Sequence, residues 1–83
     1  MQKGTVVAVN QRLGMFIVAI DGGDHAVFEL LAGIDVVIGD RVRGELEALG
    51  RETLHHLGQG RDFDAYGQSG PSNLSACNRL LGA

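Results

Sequence analysis

Arg41 and Arg43 stand two residues apart, a spacing that puts both guanidinium groups on one face of an extended strand. Lys3 and Arg12 flank the first apolar run and are expected to lie near each other across a hairpin. Phosphate contacts need such cations. Glu45 and Glu47 continue the row of Arg41 and Arg43, however, so ordinary solvated charge is the favoured reading of that pair. Phe28, with apolar neighbours, is expected in the core or an interface ahead of a binding surface. Seven Lys and Arg stand against ten Asp and Glu, for a net charge of −3. Any nucleic-acid binding should therefore be weak and strongly salt-dependent.

Catalytic and metal-binding chemistry finds little support. His55 and His56 are adjacent, so on a strand they point to opposite sides and do not easily share one metal ion. His25 beside Asp24 offers a third ligand with nothing to fix its geometry. Asp21, Asp24, Asp62 and Asp64 flank turns, where Asp is favoured for local hydrogen bonding, and none forms an acid–base pair. Gly14, Gly22-Gly23 and Gly58-x-Gly60 are turn glycines without the downstream Lys and Ser or Thr of a phosphate loop. The expectation is a protein that is not an enzyme and uses no metal or cofactor. Cys77, the single cysteine, cannot form an internal disulfide and falls on an apolar stripe, where it reads as a small hydrophobe. That points to a reducing, cytoplasmic setting. No run approaches the roughly 20 apolar residues of a membrane span, and no signal-peptide pattern opens the chain.

The elements that position these residues read as short strands. Eighty-three residues suit one domain over 1–83, and Leu, Ile, Val and Phe number 25, enough for a core. Thirteen glycines and one proline fit many strands joined by tight turns. Strands are expected at about 4–9, 15–20, 25–30 and 41–49, with a weaker strand or extended loop at 52–57 and another extended stretch at 62–68. Leu74, Cys77 and Leu81 at helical spacing after Pro71, with Gly82 as a stop, predict a helix over about 71–82. The expected architecture is all-β: a small five-stranded OB-like barrel over about 3–68 closed by early and late strands, with the helix packed on it. An SH3-like barrel is the alternative.

Residues 3–31 resemble a cold-shock domain, with a looser S1-like echo at Gly39-Asp40-Arg41-Val42. Such domains open with a Lys-Gly-x-Val strand, here Lys3-Gly4-Thr5-Val6, ending in an aromatic triplet that is Ala8-Val9-Asn10 in this chain. Their first RNA-binding motif corresponds to Leu13-Gly14-Met15-Phe16-Ile17-Val18, and their second to Val27-Phe28-Glu29-Leu30-Leu31. The resemblance implies binding of single-stranded RNA or DNA by Met15, Ile17 and Phe28, with Lys3, Arg12, Arg41 and Arg43 for the phosphates. The two outward aromatics of the first motif are Met15 and Ile17 here, and in the second motif only Phe28 keeps a ring. Base stacking on a ring contributes about 1–3 kcal/mol per base, so most of that binding mode is missing.

The aliphatic replacements suggest a different partner. A tight hairpin at Gly22-Gly23 would pair Met15 with Leu30, Ile17 with Phe28 and Ala19 with Ala26, making one face entirely apolar. The opposite face, pairing Phe16 with Glu29, Val18 with Val27 and Ile20 with His25, would be mixed. Both faces are too apolar for a sheet with one side in water, so a helix, a second copy of the chain or a protein partner should cover one of them. A protein-interaction or homodimer module on an OB barrel is accordingly the alternative to nucleic-acid binding.

Overall fold

A computed structural model describes residues 1–32, 34–69 and 71–82. Its strands are β1 (Gln2–Asn10), β2 (Met15–Ile20), β3 (His25–Ala32), β4 (Arg41–Gly44), β5 (Gly50–His56) and β6 (Arg61–Gly67), followed by helix α1 (Leu74–Leu81). The strands close into an antiparallel barrel in the order β1-β2-β3-β6-β5-β4. Two three-stranded meanders are joined at both edges, β1 to β4 and β3 to β6. The all-β barrel with a C-terminal helix is as expected, but it has six strands and not five. The added one is β5, which pairs with β6 along its whole length from Gly50↔Gly67 to His56↔Arg61.

The β2–β3 hairpin differs from the tight-turn expectation by one residue. Asp21-Gly22-Gly23 forms a three-residue loop in which Ile20 N–H donates to Asp24 O at 2.9 Å and Gly23 N–H to Ile20 O at 3.0 Å. Gly22 takes the left-handed conformation (φ 71°) that this loop needs. The ladder then pairs Phe16 with Phe28, Ile17 with Val27 and Val18 with Ala26. A shift of one residue exchanges the two faces of a strand relative to its partner. Phe16, Val18, Ala26 and Phe28 now share the barrel interior with Val6, Val42, Leu54 and Phe63.

The expected strand over 41–49 ends early, at Gly44. Leu46 N–H bonds Gly44 O and Ala48 N–H bonds Glu45 O, so the chain turns there and Leu46 folds into the core. Val36, in the β3–β4 connection, is also buried in this core.

The outer face of β2 and β3 is covered by α1. Cys77 and Leu81 bury Ile17 and Val27 in a second cluster, with Ala8 and Met15 at its margin. Leu74, expected on the same stripe, is 42% exposed. Eight residues are too few for a stable isolated helix, so attachments hold it. Asn73 caps it by accepting Ala76 N–H at 2.8 Å, and Gly82 ends it in the left-handed conformation. Ser72 exchanges two 2.8 Å backbone bonds with His25, and Asn10 Nδ2 donates to Leu81 O at 2.7 Å.

Candidate functional site

With α1 on β2 and β3, the wet part of the barrel wall runs over β1, β4, β5 and β6. Their outward residues form rows fixed by register. One row crosses Lys3, Arg43, His55 and Asp62. Beside it Thr5 faces Arg41, and further along Thr53 faces Asp64 and Arg51 faces Tyr66.

Three of the basic side chains on this wall already have carboxylate partners. Arg41 forms a bidentate pair with Asp21, at 2.8 and 2.6 Å, and bonds Thr5 Oγ1 at 2.8 Å. The Arg41 hydrogen bond holds the Asp21 carboxyl below its usual range against desolvation, helped by the charges of Arg41 and Lys3. Arg51 reaches Asp64 at 3.1 Å, and His55 Nδ1 lies 2.7 Å from Asp62. Lys3 and Arg43 differ. They sit directly opposite each other, and neither has a carboxylate partner among the described residues. The Nε of Arg43 is buried without an acceptor among those residues.

The remaining residues singled out from sequence are dispersed. Arg12 is exposed in the β1–β2 turn. It stands at the far end of β1 from Lys3, on the order of 25 Å away at 3.3 Å per residue, and not beside it as expected. Ile17 is fully buried beneath α1, and Phe28 is fully buried inside the barrel. Met15 is half-buried at the edge of the helix cluster. The hairpin register therefore leaves no stacking platform at these three positions. The one exposed aromatic among the described residues is Tyr66 on β6, 44% exposed, which the motif alignment did not reach.

His55 and His56 point to opposite sides of β5. His56 is buried, accepts Gln59 N–H on Nδ1 at 3.0 Å, and so carries its proton on Nε2. That nitrogen lies 2.9 Å from Asp40 Oδ2, off the line of a good hydrogen bond. Asp40 Oδ2 also accepts Val37 N–H at 2.9 Å, pinning the β3–β4 connection. Burial pushes the Cys77 thiol up, in keeping with its place under the helix. No group of three or more His, Cys, Asp or Glu is gathered as metal ligands would be, among the described residues. No helix there is long and apolar enough to cross a membrane.

A cavity of about 380 Å³ opens at the Asn10 end of the barrel, lined by Val9, Met15, Phe16, Leu30, Val36 and Val37, with Gln11, Gly14 and Asp35. No known protein family, curated protein or solved structure matches this chain.

Proposed function

We propose that this protein is a non-catalytic binding module that takes single-stranded nucleic acid, RNA first, along the β1–β4 wall. The carrying observation is the direct cross-strand pairing of Lys3 with Arg43, neither matched by a carboxylate. Like charges directly opposite on neighbouring strands are destabilising, so this pair gains when a polyanion lies across it. Tyr66 adds one exposed ring for a base. The flanking Asp21, Asp62 and Asp64 keep the interaction weak and short.

Fluorescence anisotropy with labelled oligo(U) and oligo(dT) at low salt tests this reading. Two phosphate contacts give a logarithmic salt slope of about −1.4 for a single strand. Lys3→Glu with Arg43→Glu should abolish binding while leaving the fold intact, since both side chains face outward. No anisotropy change at about 100 μM protein, the weak end of nonspecific binding, overturns it.

A second reading, a protein-interaction module, is favoured by the other end of the barrel, where Val37 and Ile38 are 53% and 66% exposed. The apolar strand face expected to associate is closed by α1, so self-association through Ile17 would require the helix to leave.

A further inference from the structure

The barrel is not laced shut along its whole height. β1 pairs with β4 over Gln2–Thr5, and Val6 exchanges backbone bonds with Gly39 and Asp40 at 2.8 Å. The ladder then shifts between Val6 and Ala8, a bulge of the kind that bends a strand away from its neighbour. From Ala8 to Asn10, β1 has β2 on one side and no backbone partner on the other, among the described residues. Val37 does not extend that ladder, because Asp40 N–H turns back to Val37 O at 3.1 Å.

This short open edge stands at the mouth of the 380 Å³ cavity. Ladder pairing with Phe16 turns Val9 to the inner side, and Val9, Leu30, Val36 and Val37 give the cavity aliphatic walls. Ile38, next after Val37 in the chain, is exposed. Asp35 also lines the mouth, exposed and without an ionic partner among the described residues.

We infer that this mouth is a docking site for an extended apolar peptide segment of a partner protein that carries a basic residue beside its apolar ones. Three features select this occupant. Unpaired strand backbone is satisfied by another strand, which neither a nucleic acid nor a small hydrophobe supplies. A residue paired opposite Val9 points as Val9 does, into the cavity, so alternate side chains of the added strand are received there. Asp35 supplies one negative charge that a Lys or Arg of the segment complements. The site is separate from the Lys3–Arg43 face at the other end of β1, so either reading can fail without the other.

The test uses the full chain and a fluorescein-labelled hexapeptide of alternating valine and threonine preceded by one lysine. Saturable anisotropy is expected, with amide shift changes confined to Ala8–Asn10 and residues 35–38. Methylating alternate peptide nitrogens keeps the side chains but removes strand hydrogen bonds, and should weaken binding at least about tenfold. Asp35→Asn should weaken the lysine peptide several-fold, and Val37→Asp should abolish binding; both residues are exposed, so the fold tolerates the changes. Three results would each overturn the proposal. One is no binding at about 1 mM peptide, a limit near −4 kcal/mol. The second is equal affinity for the methylated peptide. The third is a concentration-dependent dimer lost in Ile38→Asp, which makes a second copy the occupant.

Discussion

Phe16 and Phe28 face each other across the β2–β3 ladder inside the barrel, ring centroids 5.9 Å apart and planes inclined by 20°. Phe63 approaches Phe16 from β6 at 6.3 Å, so three rings from three strands meet in one core. A ring so placed packs the barrel and presents nothing to a base.

Phe28→Ala should therefore act on stability. Emptying a fully buried phenylalanine site leaves a cavity and lowers unfolding free energy by about 3–5 kcal/mol, read as a shift in the urea midpoint. Phe28→Leu should lose markedly less. If Phe28→Ala abolished oligonucleotide binding while leaving the urea midpoint unmoved, the ring would be a surface platform and the core assignment wrong.

Gly4 of β1 is buried and packs tightly against β2. A Cβ built there meets Val18 Cγ1 at 2.5 Å and the Ala19 carbonyl oxygen at 2.7 Å. The valine methyl can rotate, but the carbonyl belongs to the ladder and cannot move without breaking it. Gly4→Ala should destabilise by at least about 1–3 kcal/mol, the range of overpacked cores. Thermal unfolding checks this, with Gly23→Ala as a control: a Cβ at Gly23 meets nothing closer than 3.6 Å.

Asp40 makes the fold sensitive to acid. Burial raises its pKa, but the Val37 amide and the His56 imidazole outweigh that and hold it below the ordinary carboxylate value. A folded-state pKa below the unfolded one contributes stability above about pH 4, lost as pH falls through the folded value. Asp40→Ala strands the Val37 N–H and removes the carboxylate beside His56 Nε2, and should lower stability at pH 7 by about 1–3 kcal/mol. The gap to the parent protein should shrink at pH 3 in urea unfolding. An equal gap at both pH values would mean that Asp40 acts through packing alone.

What the sequence made legible was local. Alternation in β1 to β3 marks those strands, and the spacing of Cys77 and Leu81 ahead of Gly82 marks the helix. The β2–β3 register was not legible, because Asp21-Gly22-Gly23 closes equally well as a two- or three-residue loop, and one residue decides which face is buried. β5 was underrated because Leu54 is its only aliphatic; its strand character comes from pairing with β6, which local propensity does not contain. The Lys3–Arg43 neighbourhood is a contact between residues forty positions apart, invisible to any pattern read along the chain.

The helix is the element whose removal reads out most directly. Cys77 and Leu81 are what keep Ile17 and Val27 dry, and Cys77 itself is fully buried. In the native protein the Cys77 thiol should react with a disulfide reagent only as fast as α1 lifts, and at once in denaturant, because burial both blocks access and disfavours the thiolate. Deleting residues 70–83 uncovers an aliphatic strip on β2 and β3 that water does not satisfy, and the truncated chain should dimerise or aggregate in light scattering. Adding Ile17→Asp to the truncation should return it to a monomer, since a charge there repels an apolar partner surface. A truncated chain that stays monomeric and folded without that change would show that α1 is dispensable, and that the strip beneath it tolerates solvent.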